Sequence, residues 1–256
     1  MLNPMSLEGR TVIVTGAAQG IGRAITHTAV GLGANVVAID MNAEGLAETA
    51  APHGARVTTV AGSVADPALA AQAVDRAVAQ YGAVHGLVNN AGIIRPAMID
   101  KMSQKFWADV VDVHLNGSFY FLQAVGRHMI ERAKAGDKAP GAIVNISSDA
   151  GRRGSVGQIN YAAAKSGIFG LTMSAAREWG RYGICTNAVC FGMVETAMTE
   201  TIRSDKFRDT YMQQIALQRF SSPEEVSVPV CFLLGPGASY ITGQVISVNG
   251  GYTITM

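Results

Sequence analysis

Tyr161 and Lys165 stand four residues apart near the start of a proline-free run rich in Ala, Leu, Ile and Met. On a helix that spacing stacks the two side chains on one face, so a phenol and an ammonium project together. A phenol with its ordinary pKa near ~10 carries protons poorly at neutral pH, and a neighbouring cation favours the phenolate and draws that value down. The pair reads as a tyrosine prepared for acid–base work, with a surface Tyr–Lys pair as the plainer alternative. Ser148 lies thirteen residues before Tyr161, at the end of the apolar run Gly141 to Ser148 that leads into a Gly-rich loop. A hydroxyl at the carboxyl end of a buried parallel strand is where an open α/β sheet places its chemistry.

A second constellation lies near the amino terminus. Thr15-Gly16-Ala17-Ala18-Gln19-Gly20-Ile21-Gly22 follows an apolar β-branched run and opens a helical pattern reaching about Gly33. Glycines let the backbone approach a pyrophosphate, and a helix amino end supplies amide donors and a positive dipole. About twenty residues on, Val36-Val37-Ala38-Ile39-Asp40 ends in a carboxylate that could accept both ribose hydroxyls of an adenosine, or cap a helix. No cation occupies Ala18, Gln19 or Met41 to receive a 2′-phosphate, so the expected cofactor is NAD. Arg23 is the nearby cation that opposes that choice. Asn89-Asn90-Ala91-Gly92 ends another apolar run, and Asn89, Ala91 and Gly92 are placed beside the cofactor. Asn116 interrupts the helical segment from Phe106 to Ile130. An amide in mid-helix competes for backbone groups and suggests a kink or a held water.

These residues need a scaffold that brings strand ends together. Apolar runs of five to eight residues alternate with helical patterns, without repeat or linker, which predicts βαβ units around a parallel sheet buried on both faces. The predicted strands are Thr11–Thr15, Asn35–Asp40, Arg56–Ala61, Gly86–Asn89, Ala142–Ser147, Thr186–Val189 and Val245–Val248. Right-handed crossovers make the sheet doubly wound.

Composition narrows the function. The 256 residues are 48% hydrophobic and 15% charged, with net charge +1, which suits one domain and gives no basic footprint for nucleic acid or anionic membrane. No apolar stretch is long enough to span a bilayer, and the first six residues lack the pattern of an export signal, so a cytoplasmic location is expected. Three cysteines fit a reducing compartment rather than a disulfide framework. Cys185 and Cys190 fall on opposite faces of a strand, and the histidines form no ligand cluster, so no metal is expected.

With these residues assembled, the chain resembles the short-chain dehydrogenase/reductase family from about Leu7 onward. The resemblance rests on T-G-x-x-x-G-x-G at Thr15 to Gly22, N-N-A-G at Asn89 to Gly92, and a tetrad matched to Asn116, Ser148, Tyr161 and Lys165. It implies a Rossmann-type domain of about seven strands and hydride transfer between a nicotinamide and a secondary alcohol or ketone. It implies further that Ser148 binds the substrate oxygen, Lys165 holds the nicotinamide ribose, and Asn116 positions a relay water. Ser63, Val64, Gly192, Val194 and Thr196 would also touch the cofactor. Residues 193 to 217 would form a substrate lid, or else a plain pair of surface helices. The apolar tail Thr253 to Met256, together with the habit of relatives, implies a homotetramer.

Three departures stand out: Phe191-Gly192 where the family has Pro-Gly, Ser63 where an Asp meets adenine, and a turn-like insertion at Ala135 to Pro140. The tail from Tyr240 to Gly251 is most similar to bacterial 3-oxoacyl-[acyl-carrier-protein] reductases, enzymes generally driven by NADPH, whereas Asp40 suits NAD. Arg127, Arg132 and Arg181 are candidates for docking an acidic carrier protein. Phe191, Met193 and Met198 instead favour a compact apolar alcohol. Two readings of the small-molecule substrate therefore stand, an NAD-dependent alcohol dehydrogenase and a thioester ketoreductase. A nucleotide-sensing protein without turnover is the alternative of another class.

Overall fold

The computed structural model describes residues 3 to 254, apart from the side chains of residues 201, 202 and 206. Among the described residues seven parallel strands form one sheet in the order β3-β2-β1-β4-β5-β6-β7. The strands are β1 (Thr11–Thr15), β2 (Asn35–Asp40), β3 (Val57–Ala61), β4 (Gly86–Asn89), β5 (Gly141–Ser148), β6 (Ile184–Phe191) and β7 (Val245–Val248). Four match their predicted bounds. The central strands β5 and β6 run longer than expected because they pair residue for residue from Gly141↔Ile184 to Ser148↔Phe191. That extension carries Ser148 and Phe191 to the carboxyl edge of the sheet.

Among the described residues ten α-helices complete the framework: α1 (Gly20–Gly31), α2 (Ala43–Ala50), α3 (Pro67–Tyr81), α4 (Gln104–Val111), α5 (Gly117–Lys134), α6 (Ala150–Arg153), α7 (Ile159–Trp179), α8 (Glu200–Arg203), α9 (Asp205–Met212) and α10 (Pro223–Leu234). Alternation along β1 assigns Val12 and Val14 to one face of the sheet and Ile13 to the other. Val12 and Val14 pack with Ile25 and Ala29 of α1 and Val226 and Val230 of α10. Ile13 packs with Ala73 of α3 and Phe121 and Val125 of α5. Both faces are thus covered, as near-continuous apolar strands require.

The strand order reverses direction between β1 and β4, and the carboxyl ends diverge there into a crevice. Thr15 ties the two strands together at that point: its hydroxyl accepts from the amides of Asn90 and Ala91 at 2.9 and 3.0 Å. Where a kink or a held water was expected at Asn116, the helix carries a π-helical turn, Asp112–Asn116, joining α4 to α5. The segment after β6 holds no strand; a 3₁₀ turn (Ala197–Thr199) leads into α8 and α9. The insertion at 135–140 is a mostly exposed surface turn, with Gly136 at a φ of 104°.

Candidate active site

A cavity of about 400 Å³ occupies the crevice. The glycine turn forms one wall. Gly16 and Gly20 have φ of 68° and 53°, and a Cβ on Gly22 would stand 1.9 Å from the Gly16 carbonyl oxygen, so this turn closes only around glycine. Gln19 caps α1 without a side-chain hydrogen bond, and no acidic residue sits in the helix's first turn. The positive end of the helix therefore remains available to an anion.

Asp40 lies at the far rim with Met41. Its carboxylate accepts from the backbone amides of Ala18 and Asn42, each at 3.1 Å. The cap of α2 is Asn42, which accepts from Gly45 at 3.1 Å, so Asp40 is not spent on capping that helix. Arg23 turns away from a would-be phosphate site: its guanidinium donates to the Ala18 carbonyl, to Thr49 and to Glu48 at 2.8 Å. Ser63, Val64, Ala91, Gly92, Gly192, Val194 and Thr196 also line the cavity, with Thr196 against Gly20 of the glycine turn. Phe191, almost fully buried, also reaches the lining.

At the other end β5 delivers Ser148, and α7 delivers Tyr161 and Lys165. The start of α7 is pinned by Asn160, wholly buried, whose amide donates to the carbonyls of Arg95 and Phe106 at 3.0 and 2.9 Å. Ser148 acts on the Tyr161 phenol, favouring its phenolate. Lys165 stands beside the phenol, one turn further along the same helix. Its Nζ donates to the Ile146 carbonyl at 2.7 Å and stands 5.7 Å from the Tyr161 ring centroid. Burial pushes the phenol above its ordinary value, with Ser148 opposing. Burial also lowers Lys165 to about 8. An ammonium this readily discharged is sensitive to any acceptor placed near it.

Two residues expected at the cavity stand elsewhere. Asn89 is buried, with its amide donating to the Ser118 carbonyl and to Asn145 Oδ1 at 3.1 and 2.9 Å, so it braces β4 against β5 and α5. The next residue, Asn90, lines the cavity instead, and its amide donates to the carbonyls of Thr15 and Gly16. Asn116 donates to Asp112 at 2.8 Å and is not a lining residue. From the same π-turn Val113 and His114 enter the lining, the histidine with its ring perpendicular to that of Tyr161 at 5.1 Å. The sequence signalled a disturbed helix without showing which residue the disturbance turns inward. Among the described residues no group of three or more metal-binding side chains occurs, and no helix is long and apolar enough to cross a membrane.

This fold is of the doubly wound, Rossmann-like α/β class. Residues 16–253 match a family model described as enoyl-(acyl carrier protein) reductase. A 3-oxoacyl-[acyl-carrier-protein] reductase of Thermotoga maritima is 40% identical over 253 residues, covering 98% of this chain and all of the relative. An acetoacetyl-CoA reductase of Synechocystis is 40% identical over 249 residues, covering 97% and 98%. Among solved structures, a short-chain dehydrogenase/reductase of Brucella melitensis superimposes with a TM-score of 0.90 at 32% identity, covering 97% of this chain and 98% of that one. The chain belongs to the short-chain dehydrogenase/reductase family.

Proposed function

We propose that the protein is an NAD(H)-dependent oxidoreductase interconverting a small apolar secondary alcohol and its ketone, with Tyr161 as general acid and base. The observation that carries this reading is that Ser148, Tyr161 and Lys165 line the same cavity as the glycine turn and Asp40. A nicotinamide dinucleotide bound there supplies the hydride acceptor or donor. Gly16, Gln19, Gly20, Ile21 and Gly22 would hold its pyrophosphate over the amino end of α1, and Asp40 would accept the adenosine ribose hydroxyls. Ser63, Val64, Ala91, Gly92, Gly192, Val194 and Thr196 would line its course. Ser148 binds the substrate oxygen where charge develops. Tyr161 gives its proton to that oxygen in reduction and takes it back in oxidation.

Asp40 and the engagement of Arg23 support NAD over NADP. A carboxylate ~4 Å from a 2′-phosphate costs about 1 kcal/mol in water and about 4 kcal/mol at an effective dielectric of 20. The second reading is reduction of a 3-oxoacyl thioester, favoured by relatives of that name at 40% identity over nearly the whole chain.

The test is kcat/KM for cyclic and aryl secondary alcohols with NAD and with NADP, beside reduction of an acetoacetyl thioester on carrier protein and on a short pantetheine. At least a tenfold preference for NAD, with alcohols as the better substrates, is the expected result. A marked advantage for the carrier-bound thioester would establish the second reading, and equal efficiency with the two cofactors would overturn the role of Asp40.

A further inference from the structure

A ladder of polar contacts holds α1 against α2 and against the 3₁₀ turn Ala51–Arg56 that follows it. Its inner rung is the Thr49 hydroxyl, 3.0 Å from the Ala17 carbonyl oxygen. One rung out, the Arg23 guanidinium donates to the carbonyls of Ala18 and Gly45, to the Thr49 hydroxyl and to Glu48. Residues four apart share a helix face, so His27 supplies the next rung. Its Nδ1 lies 2.5 Å from Nε2 of His53 in the 3₁₀ turn, with the ring centroids 4.8 Å apart. The inner end of this ladder reaches the cofactor cavity, because the Ala18 amide donates to Asp40 at 3.1 Å.

Two ring nitrogens this close must have a hydrogen between them. With both rings neutral, one nitrogen donates and the other accepts. One added proton keeps that arrangement and makes the bond charge-assisted. A second added proton places an N–H on both facing nitrogens, and the rings must part. The surrounding charges set how readily that second proton arrives. Arg23 on α1 adds positive charge, and Glu224 in the first turn of α10 adds negative charge. Glu48 of α2 is engaged by Arg23 at 2.8 Å. Beside the pair α10 otherwise meets α1 through the Thr28 and Ser227 hydroxyls, 2.6 Å apart, which do not titrate in this range. Burial, then His53 and Arg23, hold His27 below its ordinary value against the pull of Glu224. The doubly charged pair is therefore an acid form.

Resting on the cofactor reading above, we propose that His27 and His53 form an acid-released clasp: uptake of a second proton by the pair parts the outer rung of the ladder and weakens the hold on the adenosine half of the cofactor. The route is mechanical. α1 presents its amino end to the diphosphate and α2 begins three residues after Asp40, so parting the outer rung frees both elements to shift. Coupling of this kind is reciprocal, so a bound adenosine nucleotide must in turn make the second proton harder to add.

ADP-ribose carries the adenosine and the diphosphate without the reacting ring, and it is the probe. Calorimetric titration of the full-length protein should show its Kd rising at least fivefold from pH 7.5 to pH 5.0. At pH 5.0, titration in two buffers of different ionisation enthalpy should show that binding releases protons. His27→Gln and His53→Gln each leave one ring, which can take only one charge. Both variants should keep Kd within twofold across that range and release fewer than half as many protons as wild type, with thermal unfolding at each pH confirming that they stay folded. Nitrogen-15 NMR of the wild type should show the two histidines titrating in two coupled steps at least one pH unit apart, with a single step for the ring that remains in either variant. The same rise in Kd in wild type and both variants, or two histidines that titrate independently, would overturn the proposal. Failure of the wild type to bind ADP-ribose at any pH would instead sink the cofactor reading, and the NMR titration would still decide whether the pair excludes a second proton.

Discussion

At the scale of single residues, Tyr161 and Lys165 make opposite demands on the fold. Burial holds the phenol neutral and works to discharge the ammonium. Tyr161→Phe should lower kcat by two to four orders of magnitude, the span of a lost general acid, while fluorescence titration finds NADH affinity within a few-fold; near-normal turnover would refute the mechanism. Lys165 predicts a stability effect with a defined sign. Its pKa falls from an ordinary 10.5 to about 8, so between those values the unfolded chain binds more protons than the folded one, and stability attributable to this group rises with pH. Below about pH 8 the cost of burying the charge is fully present. Lys165→Met should therefore be inactive yet more stable than wild type at pH 7, by at most about 3 kcal/mol, with the gap closing toward pH 10.5. Denaturant unfolding at pH 7, 9 and 10.5 measures this, and a gap that widens with pH would contradict it. The helical spacing of Tyr161 and Lys165 and the strand-end position of Ser148 made these residues legible in the sequence. Asn116 and His114 were not separable in that way, because a π-turn shifts the helical phase by one residue and no periodicity announces which side chain then faces in.

At the scale of elements, strands were read more accurately than the contacts that brace them. An apolar β-branched run fixes a buried strand, so β1, β2, β4 and β7 were legible to the residue. Whether Asn89 or Asn90 faces the cavity depends on cross-strand bonding to Asn145, which lies 56 positions away and leaves no local trace. The same reasoning changes the part assigned to Arg132. Near the end of α5 its guanidinium donates to the Val84 carbonyl, to the Pro140 carbonyl at 2.9 Å, and to Asp137 in the inserted turn. The side chain thus fastens α5, the approach to β4 and the entry to β5. Arg132→Ala strands partly buried carbonyls and should cost about 1–3 kcal/mol of stability while leaving kcat/KM for the preferred alcohol within twofold. Thermal unfolding beside steady-state kinetics tests this; a large fall in kcat/KM for a carrier-bound thioester, without loss of stability, would return Arg132 to a docking role.

At the scale of the whole molecule, two groups among the exposed apolar side chains of the described residues are candidates for contact with another copy. One follows the helices: Phe106, Trp107 and Phe119 on α4 and α5 are 38%, 41% and 41% exposed. The other adjoins β7, an edge strand paired only with β6, where Tyr240 is wholly exposed and Ile254 is 83% exposed. Thr255 and Met256, the rest of the tail expected to be covered, lie outside the described residues. Large exposed apolar side chains that cluster mark contact surfaces, and an uncovered sheet edge invites pairing. One self-complementary patch closes a dimer, and two different patches on the same chain build a dimer of dimers with two-fold axes. The expected assembly is therefore a homotetramer, with a mass by light scattering near four times 26.8 kDa. Because the regions are separate, charging one should leave the other intact. Trp107→Glu with Phe119→Glu should halve that mass without abolishing NADH binding, since neither residue lines the cofactor cavity. A monomeric wild type at micromolar concentration, or a double variant that remains tetrameric, would show that the helix face is not an interface.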